Sequence, residues 1–230
     1  MLFVIIITFM ILSLIVSTRL KNKFKKYAKI PLGSGLSGQE IARLMLADHG
    51  IHDVSVTSVE GRLTDHYNPG NKTVNLSADV FNGRNAAAAA VAAHECGHAV
   101  QHAKAYSFLE FRSAMVPIQN VSAKVINAVF MMMFFGAFIL PGLIPFQLAL
   151  IIIIACYGIF TLFSFVTLPV EFDASKRALA WMQERNIVDN KEHGMAKDAL
   201  NTAAMTYVVA ALGALATLLY YVMLFLGSRD

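Results

Sequence analysis

The residues with the most chemistry to offer are His94-Glu95-Cys96-Gly97-His98, an HExxH sequence that closes an alanine run, Ala86 to Ala93, broken only by Val91. Alanine has the highest helix propensity, so the run predicts a helix leading straight into the motif. Four residues advance a helix by about 400°, which leaves His94 and His98 about 40° apart in projection and about 6 Å apart along the axis. Both imidazoles can then reach one Zn2+ ion. Glu95 projects beside the pair, where it can act as a general base on water without taking a ligand position. Cys96 projects about 200° from either histidine and is expected in packing. His102 continues the four-residue spacing but lies about 12 Å from His94 on a straight helix, so a structural or outer role suits it better than ligation.

Catalytic zinc usually takes three protein ligands and keeps one position open. A third histidine in the metzincin arrangement would need Gly at 101 and His at 104, where the chain has Gln101 and Lys104. The third ligand must come from elsewhere, most economically a carboxylate. Glu171, in Pro169-Val170-Glu171-Phe172-Asp173-Ala174-Ser175, directly follows a long apolar run and is the leading candidate. Glu110, Glu184 and Glu192 are rivals that nothing ties to a membrane-fixed point.

The elements that position these groups follow from composition. Of 230 residues, 57% are hydrophobic and 15% charged, against about 25% charged in an ordinary soluble domain. With a mean hydropathy of +0.56, the chain is expected in a lipid bilayer, and charge-rich disorder is excluded. Two cysteines, Cys96 and Cys156, make no disulfide framework. Residues 1–18 carry no charge and reach about 27 Å as a helix, enough for one span; the basic run Arg19 to Lys29 follows rather than precedes them, which reads as an uncleaved anchor instead of a signal peptide. Val125 to Val170 contains no Asp, Glu, Lys, Arg or His and must fold back at Pro141-Gly142-Leu143-Ile144-Pro145, giving a helical hairpin over 121–168, with helices near 121–140 and 146–168. Residues 207–227 form the fourth apolar stretch.

Lys and Arg number twelve in 19–112, none in the hairpin turn, five in 169–206 and one in the C-terminal tail. The positive-inside rule then puts 19–112 and 169–206 on the cytoplasmic side and the N-terminus outside. The basic run is accounted for as a juxtamembrane retention signal, so the net charge of +4 is no sign of nucleic acid. Within 34–106 the pattern is α/β. Ser37-Gly38-Gln39-Glu40 is a capping box opening a helix that stops near Gly50. Asp53 to Val59 alternates as a strand, and Leu63 to Tyr67 and Thr73 to Leu76 flank Asn68-Pro69-Gly70-Asn71 as a hairpin with a type II turn.

Phe81 to Gln101, ending in HECGHAVQ, together with LPVEFDASKRAL (Leu168 to Leu179) and the four-span layout, resembles the YugP-type membrane zinc metallopeptidases over almost the whole chain. More distantly the chain is similar to gluzincin membrane proteases, in which a glutamate in an E-F/Y-x-A-D context supplies the third ligand. The resemblance implies that Glu171 is that ligand and that the chain is a protease. The terminal Asp of the pattern is Ser175 here, which cannot give the carboxylate contact that commonly orients a zinc-bound histidine, and Asp173 is the candidate to compensate. The strand after Gly61 resembles the edge strand that aligns extended peptides in gluzincins; a solvated hairpin is the alternative.

The expected architecture is a mainly α polytopic membrane protein, with four transmembrane helices and a small cytoplasmic α/β gluzincin-like unit holding one Zn2+ through His94, His98 and Glu171. The expected reaction is hydrolysis of a peptide or membrane-protein substrate with Glu95 as general base, and His193 and Tyr207 are candidate oxyanion donors. A zinc protein of structural or regulatory use would keep the histidines without needing Glu95. A transporter would want polar groups deep in the spans, and Val125 to Val170 offers few. The lysine and arginine count makes a direct prediction: membrane-impermeant thiol probes on Asn68→Cys and Asn190→Cys should label only from the cytoplasmic side and on Gly142→Cys only from outside. Labelling of positions 68 and 190 from opposite faces would put a bilayer between the HExxH helix and Glu171.

Overall fold

The computed structural model describes residues 1–138 and 145–228. Ten elements follow in chain order: α1 (Leu2–Tyr27), α2 (Gly38–Asp48), β1 (Ser55–Val59), β2 (His66–Asn68), β3 (Thr73–Ser77), α3 (Ala78–Phe81), α4 (Ala86–Ala103), α5 (Ser107–Phe138), α6 (Phe146–Glu184) and α7 (Asn190–Gly227). The protein is mainly α, and α1, α5, α6 and α7 are each long and apolar enough to cross a membrane. The expected break at residues 141–144 lies outside the described residues. The helices run well beyond the apolar stretches. α6 continues through the charged residues up to Glu184, and α7 opens at Asn190, long before its apolar part at Tyr207. Hydropathy marks where a helix is greasy, whereas its end is set by where backbone hydrogen bonding stops.

The chain forms two compact units. One comprises residues 1–14, 111–168 and 207–230; the other comprises 15–110 and 169–206. In the first, Ile126 and Val129 of α5, Leu150 and Ile153 of α6 and Tyr221 of α7 are buried together. Gly213 of α7 faces Phe9 of α1 so closely that a Cβ there would stand 3.2 Å from the ring. Small residues commonly permit such approach between membrane helices. Phe3, Val4, Met131 and Phe134 remain exposed, as suits a lipid-facing surface.

The second unit has a soluble-type core. Its sheet runs β1-β3-β2, with β1 parallel and β2 antiparallel to β3, so β2 is an edge. Ser37 caps α2 with the full capping box: Ser37 Oγ accepts from the Glu40 N–H, and Glu40 Oε2 accepts from the Ser37 N–H at 2.7 Å. The turn between β2 and β3 is not type II. Gly70 does not take the positive φ that such a turn demands; Lys72 does, at 54°, and a four-residue connection joins Asn68 to its partner Thr73. Asn68 Oδ1 accepts from the Gly70 N–H at 2.9 Å, so the asparagine side chain shapes the bend.

The alanine run of α4 has a second purpose besides propensity. Ala86 to Ala93 are all buried, because the helix is wrapped by α2, α3 and the sheet, and only small side chains fit on every face. Asn85 caps it, accepting from the Ala88 N–H at 2.9 Å, a contact worth about 1 kcal/mol. The basic run is also partly structural: Lys23 donates to Asp198 at 2.6 Å and to Thr202 at 2.9 Å, while the Tyr27 hydroxyl donates to the other Asp198 oxygen, tying α1 to α7.

Candidate metal centre

His94 and His98 emerge on one face of α4 with their rings 4.8 Å apart, edge to face. Glu171 arrives from α6. Its Oε2 lies 3.3 Å from His94 Nε2 and 3.6 Å from His98 Nε2, and the three donor atoms lie within 4.8 Å of one another. Among the described residues these three form the group able to hold a metal ion. That oxygen is buried and has no hydrogen-bond partner. A buried carboxylate oxygen left unpaired is costly unless a positive charge sits beside it, so the donor set fits a cation. Two imidazole nitrogens and one carboxylate oxygen are a zinc-type set with a position to spare.

The approach of α6 depends on Gly97. A Cβ at that position would stand 2.6 Å from the Ala174 carbonyl oxygen and 3.1 Å from its Cα, closer than any side chain tolerates. Glycine inside the HExxH sequence thus allows helix backbones to touch where Glu171 must reach across. Glu171 and Ser175 stand four residues apart on one face of α6, so the same crossing delivers both.

Each imidazole is held from behind. Ser175 Oγ lies 3.1 Å from His94 Nδ1, so the serine hydroxyl itself meets this imidazole, and Asp173 does not take the place of the missing carboxylate there. Asp173 instead serves His98 through Gln101. The Gln101 amide donates to the Val170 carbonyl and to Asp173 Oδ2, both at 2.8 Å, which turns its carbonyl toward His98 Nδ1 at 3.0 Å. With that oxygen accepting, His98 Nδ1 is the donor and Nε2 is the ring nitrogen that faces Glu171. Arg177 anchors the far end, its Nε 2.5 Å from Asp173 Oδ2. Gln101 carries no sequence signal beyond lying three residues past His98, and its place behind that imidazole comes from the crossing of α6.

Glu95 stands beside the group and is itself buried. Its Oε2 accepts from the backbone N–H of Tyr67, on the edge strand β2, at 3.0 Å. The Tyr67 hydroxyl lies 2.8 Å from His102 Nδ1, so His102 supports the strand and stays out of the donor group. Cys96 is fully buried in the core, and burial pushes its thiol pKa upward, leaving an inert side chain. Glu110 and Glu184 are exposed, and Glu192 is committed elsewhere, accepting from the Gly33 N–H at 2.6 Å and the Asp189 N–H at 2.8 Å. His193 sits in the first turn of α7, and the three residues of the group are His94, His98 and Glu171.

An HExxH helix met by a distant glutamate belongs to the zinc-peptidase class of metal sites. The chain belongs to the family described as "putative neutral zinc metallopeptidase", which matches residues 2–226. A protein of Bacillus subtilis (strain 168) described as "Putative membrane protease YugP" is 40% identical over 212 residues, covering 92% of this chain and 91% of its own. No solved structure matches the chain.

Two outcomes should follow. Gly97→Ala should force α6 away from α4 and weaken zinc binding by at least about tenfold, while Ala99→Gly, on the same helix, should cost only about 1 kcal/mol of stability and leave zinc binding nearly intact; competition with a chromophoric chelator measures both. The second concerns pH. Burial opposes the charged form of His98, but the adjacent Glu171 carboxylate outweighs it and raises the pKa above 6.5. In the metal-free protein this pair adds stability below the unfolded value, lost as pH rises through the folded one. Zinc needs the neutral imidazole, so affinity should decline on acidification from a pH above about 6.5. A flat affinity down to that pH would show that His98 is not coupled to the metal.

Proposed function

We propose that this protein is a membrane zinc metallopeptidase that hydrolyses peptide bonds of peptide or membrane-protein substrates at a cytoplasm-facing site, with its N-terminus outside. The observation that carries the reading is the convergence of His94, His98 and Glu171, with an unpartnered buried oxygen, next to a glutamate that takes no part in the donor group. Family membership supports the zinc, and the distribution of lysine and arginine supports the side.

When bound, a single zinc ion held by the three residues would polarise the scissile carbonyl and activate water. Glu95 takes the proton from the attacking water and returns it to the leaving amine. Its carboxylate is oriented by the Tyr67 N–H, and the surrounding burial keeps bulk water from competing for it. Ser175 and Gln101 fix the two imidazoles so that their Nε2 atoms face inward. The outer edge of β2 beside α4, where the Tyr67 N–H is already held by Glu95, leaves its carbonyl side for pairing with an extended substrate.

Glu95→Gln should keep about one equivalent of zinc and lose cleavage by about 10²- to 10⁴-fold, read by neo-termini in membranes of cells expressing each form. Glu171→Ala should lose zinc itself. Wild-type levels of cleavage by Glu95→Gln would end the protease mechanism and leave a structural zinc protein. Full zinc in Glu171→Ala would remove Glu171 from the ligand set.

A further inference from the structure

A second concavity lies away from the metal group, where the end of α1 meets the loop before β2 and the first turn of α4. It has a volume of about 440 Å3, within the range of small-ligand sites. Its apolar lining comes from Phe24, Leu63, Val80, Ala87 and Ala88. Ala88 precedes His94 by six residues, about 9 Å along α4, so the two places are distinct.

The rim is cationic. Lys21 and Lys25 line the cleft, four residues apart on one face of α1, and neither has an ion-pair partner among the described residues. Both acidic residues at the cleft are already engaged. Asp65 accepts from the N–H and hydroxyl of Ser77, and Asp79 pairs with Arg62 at 3.1 Å. The start of α4 adds the positive end of an 18-residue helix. Two unpaired ammonium groups over an apolar floor call for an amphiphile with an anionic head.

Position specifies which one. Lys21 follows the charge-free residues 1–18 by three places, about 4.5 Å of helix, which sets the cleft mouth at headgroup depth if that run crosses the bilayer. Leu63, half exposed at the lip, has a φ of 58°, a left-handed conformation that an L side chain such as leucine rarely adopts. The loop thereby holds an apolar side chain outward beside the lysines.

We infer that this cleft binds one anionic phospholipid, with Lys21 and Lys25 on the phosphate and an acyl chain against Phe24, Leu63 and Val80. The site does not depend on the peptidase reading, and lipid binding is measured without reference to activity.

The test uses the full chain in neutral detergent, titrated with dioleoylphosphatidylglycerol or dioleoylphosphatidylcholine and read by native mass spectrometry. Wild type should retain one anionic lipid in preference to the zwitterionic one. Lys21→Ala/Lys25→Ala should weaken that binding by about 20-fold, and Leu63→Ser should weaken it by a few fold. Arg19→Ala/Lys29→Ala removes the same charge from the same basic run outside the cleft and should leave affinity within about twofold. Equal loss in both double variants would reduce the effect to diffuse basic charge and overturn the site, as would equal retention of the two lipids. Displacement of the lipid by equimolar inorganic phosphate would overturn it too, because the site would then read phosphate alone.

Discussion

Everything in the candidate centre depends on a backbone-to-backbone contact between α4 and α6. At Gly97 the helices stand so close that the Ala174 carbonyl occupies the space a side chain would need. Such proximity lets a short carboxylate such as Glu171 reach two imidazoles on the other helix. It also leaves that carboxylate with an oxygen that has no hydrogen-bond partner in a buried place, an arrangement that favours a cation beside it, whether a protonated imidazole or a metal ion. The same contact sets Gln101 against the Val170 carbonyl, so one crossing fixes the three candidate donors and the groups behind them.

The histidines are oriented by different chemistry on each side. His94 meets a hydroxyl directly, whereas His98 meets an amide that is itself pinned by a carboxylate and a guanidinium. A serine in place of an aspartate puts no second negative charge behind His94, and the charge present at Asp173 is shared with Arg177. Both arrangements keep the imidazoles fixed without adding uncompensated anions to a pocket that already holds Glu95 and Glu171.

The helix that supplies Glu171 runs unbroken from the apolar stretch into the charged one, through Pro169. Residues 149–156 of it pack with α5 and α7 in one unit, and Ala174, in the other unit, meets α4 at Gly97. Glu171 is carried on a helix, as are His94 and His98, whose helix is buried on nearly all sides. Stiff supports of this kind hold donor atoms better than loops do.

The pairing of His94 with His98 on one helix face is legible in the sequence because it depends on local periodicity. HExxH on a helix puts two imidazoles on one face whatever surrounds it, and Cys96 on the other. The capping box at Ser37 and the apolar runs were legible for the same reason, since capping and hydropathy are properties of neighbours in the chain. The chain does not make the type II turn that Pro69-Gly70 suggests, because the same residues allow several turns and the strand register selects another. Three features depend on residues dozens of positions apart: the clearance Gly97 gives Ala174, the bridge from His98 through Gln101 to Asp173, and the Tyr67 N–H held by Glu95. No local pattern encodes such pairs. They exist only once burial of the alanine face has brought α4 against the sheet and α6, so packing decided them.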